Sequence, residues 1–148
     1  MKDGIALVVR ALHHGERQLA RDLLAVAERH AEEHEVHHVA TDLADWSREH
    51  AGRLADLAAG EGLSLDDAPG PAPAPAPEGP LLLHDLRALH LAAAENSLHW
   101  EMLAQAAQAT RDEQLLSLAS ACHPQTLRQL RWTNTLIKQL SPQLLTSL

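Results

Sequence analysis

Apolar residues recur along the chain in alternating steps of four and three, the spacing that gives a helix one apolar face. The first such stripe runs through Ile5, Val9, Leu12, Glu16, Leu19, Leu23, Val26 and His30. A second stripe contains Val36, Val39, Leu43, Trp46, His50 and Leu57. A third contains Leu116, Ala119, His123, Thr126, Leu130, Thr133, Ile137, Leu140 and Leu144. The pattern predicts amphipathic helices that pack against one another.

Four helices are predicted, near residues 4–31, 35–59, 81–108 and 111–140. The first turn contains neither Gly nor Pro, but the apolar face changes phase after His30, which favours a reversal near Glu33 over one long helix. The last turn carries Thr110 and Glu113 at capping-box spacing, so the fourth helix is expected to begin there. No segment shows the β-branched alternation of a sheet. The predicted class is an all-α four-helix bundle.

The stretch from residue 60 to residue 80 is rich in proline and separates the second helix from the third. Its run of alternating Pro and Ala, 71–77, is expected to be extended polyproline, which advances about 3.1 Å per residue. Such a linker is long enough to return along a helix, so helix three is expected to run parallel to helix two. The predicted organisation is a single domain, 1–148, of two antiparallel helical hairpins, 4–59 and 81–140, joined by this long crossover.

Three polar residues stand in the apolar stripes where a bundle core ordinarily has Leu. They are Glu16, His50 and His123. A carboxylate or imidazole removed from water destabilises the fold unless it finds a partner. Each of these side chains is therefore expected either to be paired with another or to bind a ligand.

The spacing of these residues predicts that they meet. Glu16 and His50 are equally far along the chain from Glu33, so an antiparallel hairpin places both at the same height. Reflecting His123 through the turn at Thr110 reaches the segment 97–99 of the third helix. All four helices are thus expected to direct polar groups at one site in the core.

The third helix offers two possible faces for that site, because it is apolar on more than one side. Glu95 and His99 are four residues apart and share one face. The core face could instead be centred on Leu89, Ala93, Asn96 and Trp100, which would make His90 the alternative contributor. The pattern alone leaves both faces open.

Charge and composition exclude several classes of function. The formal net charge is −8, and the 12 Lys and Arg residues are scattered among acids, so a nucleic-acid surface is not expected. No apolar run approaches the roughly 18 residues that a membrane span requires. Cys122 is the single cysteine and cannot form an intramolecular disulfide, in keeping with a reducing cytoplasm. The expectation is a cytoplasmic protein that contacts neither nucleic acid nor membrane, with a homo-oligomer through helix faces as one option.

The residues around these positions resemble the ferritin-like superfamily, and in particular its small bacterial stress-associated members. The resemblance rests on 12–19 in helix one, on 50–54 in helix two and on 95–101 in helix three. It implies a bundle that holds iron or manganese with one Glu from each of two helices and a Glu-x-x-His from each of the other two. By this resemblance Glu16, His50 and His123 stand at ligand positions, and a stress or redox setting is implied.

The chain departs from that motif at two positions, because Ser47 and Ser120 stand where the two bridging carboxylates belong. A di-iron centre with oxidase chemistry is therefore not expected. The remaining candidate ligands are Glu16, His50, Glu95, His99 and His123. This mixed set of nitrogen and oxygen donors suits a single zinc, iron, copper or nickel ion.

Two functional hypotheses follow from these residues. In the first, the protein is a ferritin-like bundle that binds a metal ion, such as iron, zinc, copper or manganese, in its core. In the second, Glu16 is held by His50 without metal, and the protein is a non-catalytic helical module that uses an outer face to dimerise or to bind a protein. No nucleophilic triad or phosphate-binding loop is present in the sequence, so no reaction is assigned.

Overall fold

The computed structural model describes residues 1–65 and 81–147. Within these ranges the chain forms four helices and no strand. The helices are α1 (Asp3–Arg29), α2 (His34–Gly60), α3 (Leu81–Thr110) and α4 (Glu113–Thr146). The predicted all-α class is confirmed, and the reversal near Glu33 is present in place of one long helix.

The turn between α3 and α4 differs from the predicted capping box. The helix begins at Glu113, and its N-cap is Asp112, whose carboxylate accepts a hydrogen bond from the Leu115 amide at 3.1 Å. Thr110 belongs to α3, where its hydroxyl donates to the Ala106 carbonyl at 2.8 Å. Arg111 has a left-handed backbone, with φ of 56°, and ends α3. A short aspartate just before the helix thus caps it in place of the expected threonine.

The fourth helix also continues beyond residue 140 to Thr146, with Pro124 and Pro142 inside it. Leu140 and Leu144, both half-buried, keep the apolar stripe in phase through this extension. The hydroxyl of Thr146 donates to the Pro142 carbonyl at 2.6 Å, one turn earlier in the helix. The expected end at 140 was therefore too early.

Hydrogen bonds between the helices define the topology. α1 runs antiparallel to α2, because Glu16 bonds His50 whereas the Ala27 carbonyl, later in α1, bonds His37, earlier in α2. α1 also runs antiparallel to α3, because Glu16 bonds Asn96 whereas Arg29, later in α1, bonds Asp85, earlier in α3. α4 packs on α3 and α2, so the diagonal pairs in the bundle are α1 with α4 and α2 with α3. α2 and α3 are consequently parallel, as predicted. The polyproline run at 71–77 and most of the expected crossover lie outside the described residues.

Two apolar clusters fill the bundle, one toward each end. One is built around Leu19, Leu23, Leu43, Leu86 and Leu136, and the other around Leu12, Leu54, Trp100, Leu103 and Leu115. The layer between them is polar: Glu16 is 0% exposed, His50 1% and Asn96 2%. The core therefore consists of two apolar halves separated by a buried polar layer at mid-height.

The buried face of α4 is rotated slightly from the predicted stripe. Its most buried positions include Leu115, Leu118, Cys122, Gln129 and Leu136, whereas Leu116, His123, Leu130 and Ile137 are half-buried. α4 contacts both α2 and α3, and the centre of its buried face points between these two helices. His123 lies on the α3 side of that centre and was wrongly placed at the middle of the core.

Candidate functional site

The centre of the polar layer is the carboxylate of Glu16 on α1. Its Oε2 accepts hydrogen bonds from His50 Nδ1 at 2.6 Å and from Trp100 Nε1 at 3.2 Å. Its Oε1 accepts one from Asn96 Nδ2 at 3.2 Å. The residue is 0% exposed, so these donors replace water. Both oxygens of a fully buried carboxylate are thus satisfied by side chains of α2 and α3.

His50 lies between this carboxylate and the fourth helix. Its Nε2 faces the Oε1 of Gln125 on α4 at 2.7 Å, and its ring meets Trp100 edge-on with the centroids 5.9 Å apart. With the Gln125 amide oxygen facing the ring, both ring nitrogens face acceptors, and only the protonated, positively charged imidazolium can donate to both. Glu16 and His50 therefore form a buried ion pair.

The electrostatics of His50 agree with this protonation state. Burial lowers its pKa, but the hydrogen bond and charge of Glu16, helped by Gln125 and Glu49, outweigh burial and raise the pKa above its ordinary value of 6.5. Cys122 lies in the apolar cluster next to this layer. Burial raises the pKa of its thiol to about 12, against a smaller lowering effect of Arg53. The raised pKa favours the protonated thiol at neutral pH and disfavours nucleophilic attack by its sulfur.

The layer continues between α2 and α4, and between α3 and α4. Gln129 Nε2 donates to the Ser47 hydroxyl at 2.9 Å and to the Leu43 carbonyl at 3.1 Å. The hydroxyl of Ser97 and Nε2 of His123 are hydrogen-bonded at 2.8 Å. Ser47 is thus bonded to a glutamine amide.

Gly15 allows α1 and α3 to approach closely beside Glu16. A Cβ at this position would overlap the side-chain oxygen of Asn96, whereas a Cβ at Gly52, another mid-helix glycine, would meet nothing within 4 Å. The missing side chain at Gly15 leaves room for Asn96 to reach the carboxylate.

The structure brings together some of the predicted site residues and separates others. Glu16 and His50 are in direct contact, as their spacing predicted. His123 meets Ser97, within the segment that reflection through the turn indicated. His99 is half-buried, and its Nδ1 is buried without a hydrogen-bond partner. Glu95 is exposed.

As arranged here, these residues do not form a set of metal ligands. Across residues 1–65 and 81–147, no three His, Cys, Asp or Glu side chains lie close enough together to hold an ion. Both oxygens of Glu16 and both nitrogens of His50 are engaged in hydrogen bonds. The metal-ligating role of Glu16, His50, Glu95, His99 and His123 stays a prediction.

Four further residues complete the polar layer, and the sequence did not lead us to assign them to the site. They are Asn96, Trp100, Gln125 and Gln129. The two on α3 belong to the alternative core face, since Leu89, Ala93, Asn96 and Trp100 are all buried. His90, the histidine on that side, bonds the Thr133 hydroxyl at 2.8 Å and not Glu16. On α4, Gln125 and Gln129 are four residues apart and could have indicated the polar layer. They were missed because the predicted core face of this helix was centred on His123.

A second buried carboxylate, Asp85, joins the far end of α1 to the start of α3. It is 4% exposed and accepts two bonds from the Arg29 guanidinium, at 2.8 and 3.1 Å. His30 Nε2 lies 2.7 Å from the same carboxylate. This cluster fixes the register of α1 and α3 one full apolar layer away from Glu16.

Solved structures of ferritin share this fold. The chain aligns with an iron-soaked histidine variant of PmFTN at TM-score 0.80 and 16% identity, covering 99% of this chain and 98% of that one. A glutamine variant soaked in iron overnight aligns at TM-score 0.79 and 15% identity, covering 99% and 96%. No family model matches the chain, and no curated protein sequence does. The likeness establishes the fold: this is a ferritin-like four-helix bundle.

The close approach at Gly15 predicts opposite effects for two matched substitutions. Gly15→Ala should destabilise the protein by about 1–3 kcal/mol, because the methyl group displaces Asn96 and leaves a carboxylate oxygen without its donor. Gly52→Ala should stabilise it by up to about 1 kcal/mol through helix propensity. Urea unfolding of the two variants measures the difference. Equal effects of the two substitutions would contradict the packing described at Gly15.

The raised pKa of His50 predicts a pH dependence with a defined sign. A histidine whose folded-state pKa is raised contributes fully below about pH 6.5, and its contribution is lost as the pH rises through the folded-state pKa. The destabilisation caused by His50→Gln should therefore be larger at pH 6 than at a pH above the folded-state pKa of His50. Urea unfolding across this range tests it, with the exposed His14→Gln as control. A His50→Gln effect that grows with pH would refute the assignment.

Proposed function

We propose that the protein is a non-catalytic ferritin-like module in which a buried ion pair occupies the place of a metal centre. The observation that supports this is the saturation of Glu16, whose carboxylate accepts three hydrogen bonds while His50 donates from both nitrogens. A carboxylate held in this way does not require a metal ion to compensate its burial, because the charged His50 ring and two further donors do so. Through its hydrogen bonds the pair connects all four helices. The outer faces of the bundle remain for contacts with other proteins.

The energetics of buried ion pairs suit such a bracing role. Replacing both partners by apolar residues is often neutral, whereas removing one alone destabilises a protein by about 3–5 kcal/mol. The pair thus disfavours alternative packings in which either group would lose its partner. Because Glu16 is held by donors on two helices and His50 reaches a third, sliding any of these helices would break a bond.

Metal binding is the second candidate, and two observations favour it. The structural relatives are ferritin variants that had been soaked in iron, and His99 carries a buried nitrogen without a hydrogen-bond partner. The ion would be iron, zinc, copper or manganese, with ligands drawn from the five predicted residues. His50 would have to lose a proton to become a ligand, so binding would strengthen as pH rises. A cytoplasmic stress or redox role belongs to this candidate.

Metal loading separates the two candidates. Protein purified without a His tag is exposed to iron, zinc, copper or manganese salts, and bound metal and melting temperature are measured. We expect no metal binding that requires Glu16 or His50. Any weak binding at the surface should be unchanged in His50→Gln and reduced in a surface variant such as His34→Gln. A metal-dependent rise in melting temperature that His50→Gln abolishes would overturn the non-catalytic proposal, since only a ligand of the folded state stabilises by mass action.

A double-mutant cycle tests the ion pair itself. Glu16→Gln and His50→Gln should each destabilise the protein, and the double variant should be more stable than the sum predicts, with a coupling of about 0.5–3 kcal/mol. The unfolding free energies come from urea titrations in the presence of a chelator. The cycle of Glu16→Gln with His14→Gln serves as control and should show almost no coupling. Equal coupling in both cycles would contradict a direct Glu16–His50 interaction.

A further inference from the structure

The outward face of α3 carries apolar side chains that are exposed among the described residues. Leu91, Leu98 and Met102 are 55%, 57% and 52% exposed. Their spacings of seven and four place them on one side of the helix. The opposite side already packs into the core through Leu89 and Trp100. A helix that is apolar on both sides is typical of one covered on both sides.

The apolar surface extends from α3 to the adjacent edge of α4. Leu127, which is 44% exposed, follows one turn after His123, whose ring bonds Ser97 on α3. By contrast, the residues with large exposed apolar side chains include none from α2 and only Leu7 from the body of α1. The exposed leucines and methionine are thus concentrated on the α3 side of the bundle, as at a protein interface.

We propose that this face pairs with a second copy of the chain, α3 against α3, antiparallel across a two-fold axis between Ala94 and Glu95. In that register Leu91 comes level with Leu98 of the partner subunit. Arg87 comes level with Met102 of the partner subunit and within one residue, about 1.5 Å along the axis, of the partner's Glu101. The small side chain of Ala94 at the axis permits close approach.

The arrangement of charge supports a second copy as the occupant. Arg87 and Glu101 are both exposed and flank the apolar residues at opposite ends of the face. A two-fold axis brings each Arg87 toward the partner's Glu101, giving one ion pair at each end of the interface, as an isologous contact requires. At the centre, Glu95 comes level with Ala94 of the partner subunit and within one residue of the partner's Glu95, which is the one approach of like charges in this register. Glu95 is exposed, so solvent screens the two carboxylates from each other. The face is therefore complementary to itself in its apolar residues and in the charges at its two ends.

This inference rests on the proposed function in that it specifies which outer face makes the protein contact. It can fail separately, because the dimer requires neither the presence nor the absence of metal at Glu16 and His50. The mass of the protein in solution tests the dimer, whereas metal loading tests the Glu16–His50 pair.

Sedimentation equilibrium of the full chain tests the interface. The wild type should have twice the mass of one chain at micromolar concentration, and Leu98→Glu should raise the dissociation constant at least about tenfold, since it places a charge in an apolar contact. Leu7→Glu, a matched change at a leucine that is 68% exposed on α1, should leave the dimer intact. A monomeric wild type, or a dimer sensitive to Leu7→Glu and not to Leu98→Glu, would overturn the proposal.

Charge reversal provides variants that do not alter the apolar residues. Arg87→Glu and Glu101→Arg should each weaken the dimer, and the double variant should recover much of the affinity because the pair is restored with its signs exchanged. Circular dichroism verifies that each variant is folded. Additive weakening in the double variant would exclude the Arg87–Glu101 pairing.

Cysteine cross-linking determines the direction of the pairing. Ala94→Cys, next to the axis, should form a disulfide-linked dimer under mild oxidation. Arg87→Cys alone should not, whereas a mixture of Arg87→Cys and Glu101→Cys chains should form a mixed disulfide. The native Cys122 is buried, so the unsubstituted chain serves as control. Efficient self-linking of Arg87→Cys would indicate parallel helices and overturn the antiparallel register.

Discussion

Burial of the Glu16 carboxylate is the constraint on which the rest of the structure depends. An ionised group with 0% exposure is tolerated only if protein donors replace its water, and here they come from His50 on α2 and from Asn96 and Trp100 on α3. His50 extends the chain of bonds to Gln125 on α4. One buried charge thus requires all four helices to be in register.

The surrounding packing follows from that requirement. Apolar clusters lie on either side of the polar layer and exclude water from it, which strengthens the bonds within. The absence of a side chain at Gly15 leaves room for Asn96 to bond the Glu16 carboxylate. The Arg29–Asp85 pair holds the same two helices, α1 and α3, in register at the end of α1. A fold shared with ferritins therefore encloses a centre in which hydrogen bonds between side chains satisfy the buried charge.

The sequence predicted those features that depend on the spacing of residues about a turn. Reflection through a turn placed Glu16 beside His50 and His123 beside the segment 97–99, because helix rise is uniform in antiparallel hairpins. It could not decide which face of α3 is buried, because that helix is apolar on both sides. Gln125 and Gln129 were missed because the face of α4 was centred on His123, and no local pattern indicates Asp85 as the partner of Arg29.

The central claim is that His50 is an imidazolium paired with Glu16 within the bundle. Nitrogen-15 NMR of the histidine side chains in metal-free protein at neutral pH measures this directly. The account predicts that both ring nitrogens of His50 carry slowly exchanging protons, with shifts typical of the charged ring, and that Glu16→Gln converts the ring to the neutral form. A wild-type His50 with one unprotonated nitrogen would contradict it.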